Sequence, residues 1–217
     1  MDDIDAQLVA VAARRCGVIS LHDLGTLGLG RGIAMKQVRL GRWVPVVDDV
    51  WRMAAFPRSW CQDLTIACAA LDEAAVVSHR SAALLHRLTP GFPPCVAGVG
   101  ERLPVEVLVG GPVRRFRQPV PWQAYRLPAG QWELEAVDVM VDFTTGLEVT
   151  SPARTVVDLS TLSLGEAHLR VAARNALAMG VTPGEILARS DARPRKAGAR
   201  YPGERRLLRV LSGLGEG

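Results

Sequence analysis

The stretch Gly28-Leu-Gly-Arg-Gly-Ile-Ala-Met-Lys-Gln-Val-Arg-Leu-Gly-Arg-Trp-Val44 decides how the chain is read. Gly28 and Gly30 break whatever precedes them, Arg31 to Leu40 runs helically to Gly41, and an alternating segment opens at Trp43. Within the helix, Ala34 and Val38 are four apart and can face inward behind Leu29. Arg31, Met35, Arg39 and Arg42 then fall on one exposed stripe, with Lys36 beside it. Upstream, the pattern predicts helices Asp5 to Arg15 and Leu21 to Leu27 around a break at Gly17. Downstream, Trp43 to Met53 reads as a hairpin whose Pro45 suits an edge strand. Three helices followed by a hairpin is the order of a winged helix-turn-helix. Its third helix needs a thin apolar back and cationic donors in front to enter a major groove. The candidate DNA contacts are therefore Arg31, Met35, Lys36, Gln37 and Arg39 on the helix, with Arg42 and Arg52 on the hairpin; Gln37 reads adenine if it turns toward the groove.

Charge placement supports a basic face. The chain of 217 residues is 48% hydrophobic and 22% charged, the composition of an ordinary globular protein, with a net charge of only +4. Six bases against Asp48 and Asp49 lie between Arg31 and Arg58, and seven against Glu204 lie between Arg193 and Arg209. From Leu127 to Ala153 the sign reverses, with Glu133, Glu135, Asp138, Asp142 and Glu148 and no base. Breaks near Met53 to Pro57 and from Asp191 divide the chain into residues 1–56, 57–190 and a basic tail with a short helix at 191–217, with a further break at the loop Thr89 to Pro94.

Helix starts stand out in the second part. Ser59 with Gln62, Ser78, Ser151 before Pro152, and Thr182 before Pro183 with Glu185 each place an acceptor where orphan amides need one, as does Ser20 with Asp23 in the first part. Strand alternation appears at Val105 to Val109 and more loosely from Phe116 to Val141. The expected class is α+β, a winged helix followed by a mixed domain. An acidic first turn in place of a basic leader, and no apolar run of spanning length, exclude a secreted or membrane-spanning reading and leave a cytoplasmic one. Cys16, Cys61, Cys68 and Cys95 show no metal spacing and read as buried thiols.

Enzyme readings fare poorly. Ser78 and His79 are adjacent on a helix and point about 100° apart, so Ser78 is expected to cap rather than attack. His79 and His86 lack a third ligand, Asp138 and Asp142 lack a lysine partner and suit a solvated or partner-binding edge, and Arg154 with Asp158 reads as a surface ion pair. Gly28-Leu-Gly-Arg-Gly follows a helix rather than a strand, and neither Gly98-Val-Gly100 nor Gly110-Gly111-Pro112 continues into a phosphate-binding loop. No catalysis, cofactor or metal is expected.

Gly17-Val-Ile-Ser, Gly28-Leu-Gly-Arg, Gly41-Arg-Trp-Val, Ser78-His-Arg-Ser-Ala-Ala-Leu-Leu-His-Arg-Leu and Val149-Thr-Ser-Pro-Ala-Arg-Thr-Val-Val-Asp-Leu together resemble the AbiEi family of antitoxins from type IV toxin-antitoxin systems, over roughly residues 4 to 190. The resemblance implies an N-terminal winged helix that binds double-stranded DNA at inverted repeats and represses its own operon. It further implies an antitoxin domain paired functionally, without necessary contact, with a nucleotidyltransferase-like toxin. Gly30 stands where the family usually has a capping Ser, Met35 and Leu40 where bases or small polar residues are common, and Trp51 in place of a wing tyrosine. Pro202 to Leu211 is similar to the opening helix of a very-short-patch-repair-like nuclease that follows in some relatives, of which Glu204 alone cannot hold a metal. The alternatives are a truncated relative of that nuclease, or an interaction module whose acidic region meets a basic protein.

Overall fold

A capping box fixes the first turn of the second helix: Ser20 Oγ accepts the Asp23 amide at 3.2 Å, and the Asp23 carboxylate accepts the Ser20 amide at 2.7 Å. The computed structural model describes residues 3–71, 75–89, 105–110, 122–126, 134–193 and 200–214. Its first part runs α1 (Asp3–Arg14), β1 (Val18–Ser20), α2 (Leu21–Thr26), α3 (Arg31–Arg39), β2 (Trp43–Val47) and β3 (Val50–Met53). The three strands form an antiparallel sheet in the order β1-β3-β2, so Pro45 lies on an edge strand, where its missing N–H costs no ladder bond. The strand β1 is an addition to the sequence reading; three residues are too few for alternation to announce. Leu8, Ala12, Ile19, Leu24, Ala34, Trp43 and Trp51 form the core of this part, with Val38 packed partly against it.

The second part runs α4 (Trp60–Leu71), β4 (Val76–Val77), α5 (His79–Leu85), β5 (Val105–Val109), β6 (Trp122–Arg126), a 3-10 turn (Ala136–Asp138), β7 (Val139–Val141), β8 (Glu148–Thr150), α6 (Pro152–Thr161), α7 (Glu166–Ala178), α8 (Pro183–Asp191) and α9 (Glu204–Ser212). A mixed sheet in the order β6-β5-β4-β8-β7 carries β5 buried at every position. The protein is thus mixed α and β with two sheets. The apolar cluster under the larger sheet extends from Leu64, Ile66 and Val107 to Val18 and Val50, so the chain break near Pro57 is not a break in the core. Of the expected breaks and motifs, Pro94, Cys95, the glycines at 98, 100 and 111, Phe116, Glu133, Arg195 and Lys196 lie outside the described residues.

The reading of the cysteines is corrected. Cys16 and Cys61, read as thiols, are joined in a disulfide with Cα atoms 6.0 Å apart, tying the α1–β1 turn to the first turn of α4. Spacing alone could not pair residues from different elements. Cys68 is a free buried thiol, pushed up to about 12 by burial. The expected short helix of the basic tail is α9, and it is packed. Leu207, Val210 and Leu211 of α9 enter a cluster with Val156, Leu159 and Leu169, and Arg206 donates to the carbonyls of Ser160, Leu162 and Leu164 that end α6.

Gly203 is what permits that docking. It adopts a φ of 93°, and a Cβ there would lie 1.7 Å from the Ser160 carbonyl oxygen. Gly203→Ala is therefore expected to lose about 2 kcal/mol or more of stability, read as a lowered urea midpoint. An unchanged midpoint would show that α9 does not hold this position.

Candidate functional site

The helix α3 presents the basic stripe as its sequence implies. Ala34 is fully buried, while Arg31, Met35, Lys36 and Arg39 are exposed, and Arg42 is exposed just beyond the helix. Four-residue spacing puts 31, 35 and 39 on one side, and the chain reversal at Gly41, with a φ of 69°, turns Arg42 into the start of the hairpin. Arg31 is ion-paired with Asp49 at the hairpin tip, a link the sequence reading missed because the two are 18 residues apart. Two candidates depart from the stripe. Gln37 is buried, 5% exposed, so it presents no edge to a groove in this conformation; Arg52 is half-buried on β3, where it registers with Val18 and Val44. Two carbons of stem and an amide make Gln37 small enough to turn inward beside Ala34, which helical periodicity does not forbid. The exposed set is thus Arg31, Met35, Lys36, Arg39 and Arg42.

A second concentration of polar side chains lies inside the larger unit. Glu106 on β5 is fully buried, and its carboxylate accepts from the Arg80 amide at 2.6 Å, from Arg80 Nε at 2.8 Å and from Tyr125 Oη at 3.0 Å. Glu106 therefore caps α5, the role expected of Ser78. Ser78 Oγ instead meets His79 Nδ1 at 2.9 Å. Adjacent helical side chains would diverge, but His79 has a φ of 49° and lies outside that geometry, its ring stacked on Tyr125 at 3.7 Å. Both residues are buried, Ser78 at 0% and His79 at 1% exposure, which leaves a substrate no approach to the hydroxyl. His86 ends α5 as its C-cap, and its Nε2 meets the Thr150 carbonyl at 2.7 Å.

Arg154 and Asp158, read from their spacing as a surface pair, are both fully buried and joined at 3.0 Å. Asp138, read as part of a solvated run, is also buried, with Arg154 at 3.7 Å and Arg189 at 3.5 Å, while Arg193 reaches Asp158 at 3.5 Å. Bases from α6, α8 and the following turn thus compensate acids from α6 and the 3-10 turn, which fastens these elements together. Among the described residues no group of three His, Cys, Asp or Glu is placed to hold a metal ion. No described helix is long and apolar enough to cross a membrane. No protein-family model and no curated protein matches the chain.

The buried histidines make stability depend on pH. Burial lowers both below the ordinary 6.5, against the opposing pull of Asp158 and Glu106 on His79 and of the Thr150 carbonyl on His86. Between the folded value and 6.5 the unfolded chain binds more protons, so stability falls as pH drops through this window. The urea midpoint is expected to be lower at pH 5.5 than at pH 7.5, and His79→Gln to reduce the difference. A midpoint that does not fall on acidification contradicts burial of neutral imidazoles.

Proposed function

We propose that this protein is a DNA-binding antitoxin of the type IV kind. Residues 1–56 act as a winged helix-turn-helix on the operator of its own operon, residues 57–190 counter a nucleotidyltransferase-like toxin, and 191–217 form a basic C-terminal segment. The observation that carries the DNA reading is the division of α3 into a fully buried Ala34 and an exposed Arg31, Met35, Lys36 and Arg39, continued by Arg42 at the hairpin. Lysine and arginine on such a face neutralise phosphates, and arginine additionally reads guanine edges. Arg31 has a second role here, because its pair with Asp49 fixes the hairpin against the start of the helix. Inverted half-sites would bring two protomers onto one operator about a two-fold axis. The antitoxin part rests on the resemblance of Ser78 to Leu88 and Val149 to Leu159 to that family. Those segments build the polar interior around Glu106, His79, Arg154 and Asp158. The protein acts in the cytoplasm, without cofactor, metal or catalysis.

Two assays test this. The full chain should retard DNA from immediately upstream of its own gene and leave it uncut in magnesium, and its expression should restore growth of cells producing the toxin encoded beside it. Retardation without rescue would leave a repressor that is no antitoxin; cleavage in magnesium would favour the nuclease alternative.

A further inference from the structure

Where the first part of the chain meets the second, a covalent bond holds a turn that the backbone does not favour. Cys16 follows α1 with a φ of 52°, in the left-handed position that a helix end ordinarily gives to glycine, and Gly17 beyond it returns its amide to Ala12 O at 2.7 Å. A side chain with a Cβ disfavours that conformation, which persists where its surroundings fix it. Two contacts from α4 do so: the disulfide to Cys61, and Gln62 Nε2, which donates to the Cys16 carbonyl at 3.1 Å. Cys16 and Cys61 are both half-buried. Cys68, later in α4, is 6% exposed and its thiol is pushed up to about 12, so it supplies no thiolate to exchange into the bond.

From this turn a contiguous run of polar contacts leads to the basic helix. Arg15, next to the bond, is ion-paired with Asp23. The other oxygen of the Asp23 carboxylate accepts from the amide and the hydroxyl of Ser20, both at 2.7 Å, and so fixes the first turn of α2. The next residue, Leu21, donates its amide to Asp49 O at 2.8 Å at the hairpin tip, and the Asp49 carboxylate is paired with Arg31 at the start of α3. A shift of the turn therefore has a continuous route to α2, the hairpin tip and α3. The apolar cluster of Val18, Val50, Leu64 and Ile66, by contrast, crosses between the two parts without the bond. Opening the bond frees the turn while the chain stays folded.

We infer that Cys16 and Cys61 form a thiol–disulfide switch that answers to low-molecular-weight thiols and sets how firmly α2 and α3 are held for DNA. The regulatory half of this inference rests on the DNA-binding reading above. A thiolate of the reductant attacks one of the two sulfurs, forming a mixed disulfide and releasing the other cysteine as a thiolate that takes up a proton. A second reductant molecule then displaces the first, leaving two cysteine thiols and one oxidised, disulfide-linked reductant. The bonded form keeps the turn, the capping box and the hairpin tip in register and binds the operator more tightly. The dithiol form lets Cys16 leave the left-handed region and loosens Arg15 from Asp23. In the reducing cytoplasm proposed for this protein a bond of this kind is transient and redox-sensing, so oxidation tightens repression.

To test it, the full chain is equilibrated in reduced and in oxidised glutathione, its free thiols are trapped by alkylation, and the linkage is mapped by mass spectrometry of proteolytic fragments. The Cys16–Cys61 bond is expected in the oxidised buffer, and both residues alkylated in the reduced one. Amide hydrogen exchange, which needs no DNA, should quicken on reduction from Arg15 to Leu24 and stay unchanged in α6 and α9. On labelled upstream DNA the bonded form should bind about five-fold or more tighter than the dithiol form, and Cys16→Ser with Cys61→Ser should bind like the dithiol form in both buffers. A bond that survives excess reduced glutathione, a bond from either residue to Cys95 instead, unchanged exchange from Arg15 to Leu24, or equal affinity of the bonded and dithiol forms would overturn the inference. If neither form binds the DNA, the DNA reading fails and the regulation with it, while the exchange measurement still decides the switch.

Discussion

Arg154→Ala is expected to lower folding stability by about 3–5 kcal/mol, the largest single-residue effect anticipated in this chain. The spacing of Arg154 and Asp158 is that of helix-surface pairs worth a few tenths of a kcal/mol, but solvent is absent here: the two side chains are 1% and 0% exposed, and Asp138 beside them is 2% exposed. Burial itself disfavours the charged guanidinium, and Asp158 offsets that cost through its charge and its hydrogen bond. Removing Arg154 strips both carboxylates of their innermost partner and leaves, among the described residues, Arg189 and Arg193, each 3.5 Å away, to compensate them. The effect arises from the charge left behind rather than from the worth of the pair. Arg154→Met with Asp158→Leu should therefore recover much of what Arg154→Met alone loses. Urea unfolding of wild type, Arg154→Met, Asp158→Leu and the double variant measures the coupling directly. A loss under 1 kcal/mol for Arg154→Ala would mean that water reaches the network and that α6, α8 and the 3-10 turn are held together by apolar contact alone.

The contrast between the two arginine clusters shows what sequence could and could not convey. Capping residues marked their helices because a cap is local: Ser20 with Asp23 and Thr182 with Glu185 form the boxes their spacing promises. The exposed stripe on α3 was readable for the same reason, a helix face being set by residues three and four apart. Burial is not local. Nothing within Pro152 to Thr161 distinguishes a surface Arg154 from one enclosed by α8 and the 3-10 turn, and nothing near Ser78 announces that Glu106, 28 positions on in sequence, will take its place at the helix start. The same limit hid the Cys16–Cys61 bond and the inward turn of Gln37. Strands of two and three residues, β4, β1 and β8, were invisible because a period of two needs more than one repeat to register.

Loss of basic side chains from α3 has the second large effect. Lys36→Ala and Arg39→Ala remove charges that project away from a helix anchored by Ala34 and, in part, Val38, so the fold should be retained while operator affinity falls. If one of them reads a base, the loss is on the order of 1–3 kcal/mol and is confined to one operator position. If it contacts a phosphate, all sequences weaken alike and the salt slope drops by about one. Arg31 and Arg42 should behave as phosphate contacts too, with Arg31→Ala also releasing Asp49 at the hairpin tip. Gln37→Ala is expected to leave base preference unchanged, because the side chain is buried.

The most direct measurement is a titration of labelled upstream DNA with wild type, Lys36→Ala and Arg39→Ala at several salt concentrations. With about four contacts per protomer from Lys36, Arg31, Arg39 and Arg42, log affinity should fall steeply with log salt, at roughly 0.9 per phosphate neutralised, and both variants should bind more weakly than wild type. Unchanged affinity in both variants would contradict DNA recognition by α3 and shift it to the basic block from Arg193 to Arg209.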